Sequence, residues 1–523
     1  MIQSQTQTQA YWVSQFDLTE SDIEQLYNHF LEAERPQTAE QLALVTIEHR
    51  VAQEKNEIKQ RLAGRAVYQP NASYDEGDEL VFPALNFSYG TVTAVRQGSN
   101  PEAGEFKVIQ VELDGKKREF ASELEMEHVL NQANGSIFEV LEMSSAEDLN
   151  EQYGDVVAEK IEESLQERED AVRLGEHWFL KGLLTEVNVG HLNLAEAVLE
   201  VNEGGPLSPE DILPHLELGD DAPLETQVFS LNYAMLQDNR FDEVAPRGSV
   251  GWYLQRLEPK QVREAPERLL YEPIPYDESA LTHELKLLIR ELDDEWSDVE
   301  PITRQQPAVL SLTYPHRWAG TLPLSARTRP LFPASRSERQ RIVFVDEQSG
   351  DEIVGWVVRK RRYVYGLEEW YGEHEIPIGG FISLRPGEEP GVVLLDYDRR
   401  RGQREWVRLA TVEDNRIQFE LERRTISCGY DDQLIVGTDY IAAVDAAWRR
   451  AESQDRSVAS LLRELFPELA DLNPQRTVHA KTLYSAINML RRMPPEPVFA
   501  ELVSNPVFVP MGDHYWQYDS SKG

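Results

Sequence analysis

A single cysteine, Cys428, stands among 523 residues. One thiol cannot close an internal disulfide, so covalent staples are excluded and a reducing compartment is expected. Long apolar runs are as scarce. No stretch reaches the roughly 18 apolar residues that cross a bilayer, and Met1 to Gln9 is polar and uncharged. A membrane span, a membrane partner and a secretory leader are therefore not expected, and a cytoplasmic location is. Motifs of catalysis are missing too: no phosphate loop ending in Gly-Lys-Ser/Thr, no Gly-x-Gly-x-x-Gly after a strand, no His-Glu-x-x-His. Glu373-His374-Glu375 could bind a metal on paper, but it follows Trp370-Tyr371-Gly372 in what reads as a surface turn. Asp346-Glu347 and Asp351-Glu352 lack the lysine that a nuclease would set beside them. Neither an enzyme nor a cofactor is expected.

Positive charge is the third scarcity. Lys and Arg number 52 against 92 Asp and Glu, a net charge of −40. Residues 1–300 hold 23 against 61, a net of −38, whereas residues 301–450 are balanced at 22 and 22 and residues 451–523 hold 7 against 9. An acidic field repels nucleic acid at range, but screening over about 8 Å lets a local basic face act alone. Nucleic-acid contact is thus expected from the second half. The first half suits basic protein partners, or solubility alone.

What is present reads as a multidomain α+β chain of winged helix-turn-helix modules and small β-barrels. Residues 1–65 are helical: Thr19 caps a run with Ile23, Leu26, Tyr27 and Phe30 inward, and Thr38 caps a second with Leu42, Val45, Ile47 and Val51. That pair reads as a helical hairpin or as half of a helix-turn-helix. Short β runs punctuated by Gly77, Gly90, Gly98 and Asp114-Gly115 make residues 66–130 a small barrel. Residues 131–190 form an acidic connector, its helix read as a solvated face. Residues 258–300 are a Pro- and Glu-rich linker followed by an amphipathic helix, Ser279 to Trp296. Residues 301–430 form a larger β-barrel in which Arg399-Arg400-Arg401-Gly402 reads as a hairpin tip.

The central stretch, residues 191–257, is the most telling. Leu194, Ala195, Ala197, Val198 and Val201 line a helix stopped by Gly204-Gly205; Ser208-Pro209 starts a second, and a third begins near Glu225. Arg240-Phe241, a turn at Pro246-Arg247-Gly248 and Val250, Trp252 and Leu254 then form a hairpin. The run Ser230-Leu231-Asn232, Leu236 to Phe241, Val244 and Gly251 to Leu254 resembles a HARE-type helix-turn-helix, the module of the RNA polymerase delta subunit and of chromatin and restriction proteins. The resemblance implies a transcription- or DNA-associated module. Its third helix carries no Lys or Arg from Thr226 to Asn239, so protein contact stays as open as base reading. Gly90-Thr91-Val92 to Val95-Arg96 resembles KOW or Tudor-like barrels.

A further resemblance lies at residues 314–395. Gly320 to Leu324, Leu331-Phe332-Pro333, Ile342 to Asp346, Val354 to Val358, Tyr363 to Leu367, Trp370 and Ile376 to Leu384 follow the order of a plant B-three type DNA-binding pseudobarrel, with Gly379-Gly380 where that family has Gly-Asp. It implies two arms in the major groove, His316 and Arg317 with Arg327 and Arg329 nearby, and Arg359, Lys360, Arg361 and Arg362. Guanidinium groups suit phosphates and guanine edges; the tetrad equally suits a solvated strand edge that discourages sheet pairing. Residues 431–523 read as a winged-helix-like module whose third helix, capped by Thr477, carries His479, Lys481, Arg491 and Arg492. The chain is accordingly expected to be a non-enzymatic, DNA-binding, transcription-associated protein, touching DNA through its C-terminal half and protein, RNA polymerase among the candidates, through its acidic half. The alternative is a protein-binding scaffold whose winged helices contact protein and not DNA.

Overall fold

The computed structural model describes residues 5–522 except 63–64, 83–84, 86–87, 101–103, 114, 127, 133–143, 220–221, 247, 301–306 and 333–336. Asp114, Arg247, Pro333 and the start of the acidic connector, all named above, lie outside the described residues. The chain divides into two units, Met1–Val187 with Leu218–Tyr233, and Asn188–Glu217 with Ala234–Gly523.

The first unit opens with α1 (Glu20–Ala33), β1 (Gln37–Thr38) and α2 (Ala39–Leu62). Thr19 caps α1: its N–H and hydroxyl both donate to Asp22, at 2.8 and 2.6 Å. Arg50 of α2 then binds the same carboxylate at 2.6 Å, so one buried acid sets both the start of α1 and its seat on α2. A five-stranded sheet follows: β2 (Ala66–Val67), β3 (Glu79–Phe82), β4 (Ser88–Gln97), β5 (Lys107–Leu113) and β6 (Lys116–Ser122), in sequence order across the sheet. Leu80, Phe82, Val92, Ile109 and Val111 alternate onto one face and pack with Tyr68 and Tyr74. Only glycine fits at position 90, where a Cβ would meet the Glu112 carbonyl at 2.3 Å. Beyond it come α3 (Ala146–Gln166) and the hairpin β7 (Ala171–Leu174) and β8 (His177–Leu180). β1 pairs with β8, giving the order β1-β8-β7.

Helix α3 is not the solvated connector expected. Leu149, Val157, Ile161 and Leu165 are buried with Leu26, Phe30, Leu42 and Ile47 of α1 and α2. Its carboxylates occupy the outer face, so the acid-rich sequence masks an apolar stripe at helical spacing. Residues 218–233 join this unit too: Phe229 meets Phe179 edge-on at 5.8 Å, and the Thr226 hydroxyl donates to the Glu34 carbonyl.

The second unit begins with α4 (Val189–Val201), capped by the Asn188 side chain, which accepts from the N–H groups of Gly190 and His191. Ser208 caps α5 (Pro209–Ile212), with Pro209 at its first position. Helix α6 (Leu224–Leu236), whose residues up to Tyr233 belong to the first unit, precedes the hairpin β9 (Phe241–Glu243) and β10 (Trp252–Leu254), and Leu207 bridges to Trp252. The expected linker after Leu257 is packed. It contains α7 (Lys260–Arg263), and its Val262 and Leu269 share a core with Trp356, Val358 and Tyr363. Helix α8 covers only His283–Leu292 of the expected Ser279 to Trp296; Asp293, at φ 52, turns left-handed and ends it.

Seven strands then form an open half-barrel: β11 (Ala308–Ser311), β12 (Thr321–Pro323), β13 (Arg339–Asp346), β14 (Glu352–Val358), β15 (Tyr363–Tyr365), β16 (Phe381–Pro386) and β17 (Val392–Tyr397), in the order β11-β16-β17-β13-β14-β15-β12. Only β13 and β17 run parallel. Two short helices, α9 (Tyr314–Ala319) and α10 (Glu368–Glu373), lie in the connections. Leu310, Leu322, Phe344, Val364, Tyr371, Ile382 and Leu395 fill the interior. A long hairpin, β18 (Arg399–Glu413) and β19 (Arg416–Cys428), follows, with β20 (Val436–Gly437) parallel to β18. Its tip is Asp414-Asn415, both at positive φ as a tight hairpin turn demands. Arg399 to Arg401 open β18 and are not the tip expected.

The chain ends in α11 (Ile441–Ser453), α12 (Val458–Ala470), β21 (Thr477–His479), α13 (Ala480–Ile487), α14 (Pro495–Ser504), β22 (Phe508–Gly512) and β23 (Tyr515–Tyr518). The expected third helix from Thr477 is therefore a strand and the second helix, and Arg491 and Arg492 lie beyond its end. One order recurs three times in the sequence: helix, short extended segment, two helices, hairpin, with the short segment paired to the last strand. It runs from α1 to β8 with the five-stranded sheet inserted, from α4 to β10, and from α12 to β23.

Phe229→Ala should open a cavity costing about 3–5 kcal/mol. Hydrogen exchange should quicken in α1 and in β7–β8. Unchanged exchange there would contradict the placement of residues 218–233 in this core.

Candidate interaction surfaces

The expected DNA contacts are, for the most part, internal fasteners. Arg492, 3% exposed, donates from one nitrogen to Asp294 at 2.8 Å and Glu295 at 2.5 Å, and from the other to Asn488 and the Met493 carbonyl. The second Glu295 oxygen lies 3.2 Å from His316 Nε2, and His316 Nδ1 lies 2.8 Å from the Thr321 hydroxyl. The Tyr484 hydroxyl donates to Asp294 at 2.6 Å. Arg362 donates to the Glu295 carbonyl at 3.0 Å and stacks over Trp296. Burial pushes the Glu295 carboxyl up, but the charges of Arg492 and His316 outweigh it and hold Glu295 below the usual carboxylate range. Two buried carboxylates need this cation; a buried charge left unpaired is far costlier than the pair.

The others divide similarly. Lys481 is 7% exposed and bonds Glu291 at 2.5 Å and Asp431 at 2.7 Å. His479 caps α13, and burial, with Lys481 and His514 nearby, pushes its imidazole down to about 4, so it is neutral at pH 7. Arg317 donates to the Ile376 carbonyl and Arg327 to those of Val309 and Arg290. Arg359 bonds Gln340 and the Phe332 carbonyl, and Arg491 bonds Asp455 and the Arg456 carbonyl. Arg329 is half-buried in a 3-10 turn. Of the twelve, only Lys360 and Arg361 are exposed, and Lys360 is 3.9 Å from Glu338. Most of these side chains satisfy carbonyls and buried acids that the chain supplies elsewhere.

At Glu373-His374-Glu375 both glutamates are exposed, as expected of a surface turn, while His374 and the Trp370 indole reach Asp346, at 3.0 and 2.7 Å. Among the described residues no group of three or more His, Cys, Asp or Glu could hold a metal ion, and no helix is long and apolar enough to cross a membrane.

Two surfaces stand out instead. On α4 the inward residues are Ala195 and Leu199, whereas Leu194 and Val201 are 46% and 84% exposed and Ala197 is exposed between them. Spacing of three and four residues places these on one face of the helix. Of the five apolar residues expected to line this helix, Leu194, Ala197 and Val201 are exposed, and they repeat at the same helical period as a core stripe. Beside them Glu196 and Glu200 are paired with Arg240 and Arg256. The third helix of each recurring segment is poor in cations. Helix α3 holds seven acids against Lys160 alone, α6 has no Lys or Arg, and α14 has only Glu496 and Glu501 as charged residues.

The second surface is the β18–β19 ribbon, which sequence reading missed by folding Arg399 to Arg401 into a tip. Register sets Arg404 opposite Thr425, Trp406 opposite Arg423 and Arg408 opposite Leu421, so these six share a face. Trp406 is 57% exposed, and the Arg423 guanidinium lies 5.4 Å above its ring. Glu405, Glu420, Glu422 and Arg424 lie on the opposite face, where Arg424 binds Glu422 and Asp439. Comparison with family models, with curated proteins and with solved structures finds no match to this chain.

Arg492→Ala should cost about 3–5 kcal/mol in urea unfolding by stranding Asp294 and Glu295, whereas the exposed Arg423→Ala should stay within about 0.5 kcal/mol. Comparable losses would contradict this division of the cations. Burial pushes Glu496, in the first turn of α14, from 4.5 up to about 7. The folded chain therefore holds an extra proton between those values, and stability falls as pH rises through that window. Glu496→Gln should gain stability over wild type on going from pH 5 to 8, by about 3 kcal/mol at most. An equal pH slope in both proteins would contradict the buried acid.

Proposed function

We propose that this protein is a non-enzymatic scaffold that binds other proteins through winged helix-turn-helix modules. The observation that carries the reading is the exposed apolar stripe of α4, Leu194, Ala197 and Val201. Burial of such a stripe is worth about 25 cal/mol per Å² only when another apolar surface covers it. The recurring order of helix, strand, two helices and hairpin is that of a winged helix, and it supports three such modules. Base reading would put Lys, Arg, Asn or Gln of a third helix into the major groove; α3, α6 and α14 together hold one lysine among their charged side chains. The HARE-like residues of the central module support a place in the transcription machinery, with RNA polymerase as the partner to try first. The partner's contact surface is an apolar patch with a basic rim, since residues 1–300 carry a net charge of −38.

The test is capture of identified partners by the tagged full chain from a nuclease-treated native lysate, compared with a Leu194→Glu, Val201→Glu variant of unchanged melting temperature. Retention through nuclease by the wild type and loss in the variant are expected. Loss of every partner with nuclease, or retention by the variant of the partners that survive it, would overturn the reading.

A further inference from the structure

We propose that the exposed face of the β18–β19 ribbon binds single-stranded nucleic acid, with Trp406 stacking on a base and Arg404 and Arg423 holding the flanking phosphates. The ribbon is a positive island in an acidic protein: residues 399–428 hold eight Arg and five Asp or Glu, within a chain of net charge −40. Strand alternation then sorts even those few acids away. Arg404, Trp406, Leu421, Arg423 and Thr425 share one face, and Glu405, Glu420 and Glu422 the other. Among the described residues no carboxylate makes an ion pair with Arg404 or Arg423, unlike Arg400, which Asp398 holds at 2.7 Å, and Arg424. These are therefore unspent cations, in contrast to Arg492 or Lys481.

Folding gives no reason for the tryptophan. The neighbouring Val407, Leu409, Ile426 and Cys428 point the opposite way into one core, and on the Trp406 side Ala410, Ile417 and Phe419 enter another only towards the hairpin tip, while Trp406 is left 57% exposed. Arg423 covers one side of the indole at 5.4 Å, which fixes the ring and leaves an aromatic plane beside a positive charge. That combination is what unpaired bases and their phosphates require, with stacking independent of base identity. A duplex has its bases already stacked, and its phosphates would use the arginines and leave Trp406 and Leu421 idle. An acidic peptide would likewise leave the indole idle.

The binding surface can be tested on the full chain by fluorescence anisotropy with a labelled oligothymidylate of about 12 nucleotides, at salt from about 50 to 200 mM. Binding with a negative salt slope and quenching of tryptophan emission are expected. Arg404→Ala with Arg423→Ala should shallow the slope by about 1.4, two phosphates' worth. Trp406→Ala should weaken binding at least about ten-fold, as loss of one stacked base would, with the slope unchanged. The proposal is overturned by no anisotropy change, by wild-type affinity in Trp406→Ala, by equal affinity for the same sequence as duplex, or by equal competition from polyglutamate. None of these outcomes bears on α4, so the scaffold reading stands or falls separately.

Discussion

Arg492 is the cation on which the second unit depends. It neutralises Asp294 and Glu295, which precede it by 198 and 197 residues, and with Tyr484 and His316 it joins the turn after α8 to α9 and to the last helical segment. Ion pairs of this kind add little over an apolar core of the same shape, but they forbid the alternatives. Once two carboxylates are sequestered, no packing that leaves the guanidinium in water is tolerable. The half-barrel and the C-terminal helices therefore have one mutual arrangement, and the turn after α8, which supplies the acids, is fixed between Arg492 and His316.

That use of charge shapes the surface. With 52 cations against 92 acids, each arginine spent inside on a backbone carbonyl leaves the exterior more acidic. Lys481, Arg317, Arg359 and Arg491 are all spent on carbonyls or carboxylates. The outcome is a protein in which α3, α6 and α14 hold one lysine between them, α4 offers an apolar stripe, and Arg404 and Arg423 stay exposed on a narrow ribbon. The proposed protein recognition through α4 and the proposed strand recognition along β18–β19 are compatible, because neither uses the buried network.

Much of the framework was legible locally. The Thr19–Asp22 cap, the Ser208-Pro209 start, the hairpin after Arg240 and the alternation in residues 66–122 depend on neighbours within a few positions, and sequence displays neighbours. Failures share a different cause. The linker expected after Leu257 is rich in Pro and Glu yet buries Val262 and Leu269 against strands about a hundred residues later. Helix α3 looks solvated because its stripe is diluted by acids. The dozen candidate DNA contacts were chosen by charge, and charge type does not reveal whether a carboxylate nearly two hundred residues away has already claimed the side chain. Trp406 and Arg423 escaped notice because only the strand register brings them together.

Arginine-selective labelling of the native protein with a dicarbonyl reagent, resolved by peptide mass spectrometry, addresses the division between fastened and available cations most directly. Arg361, Arg404 and Arg423 should be modified quickly, and Arg492 only once the chain unfolds. Modification of Arg492 in the native protein at the rate of Arg404 would contradict the account.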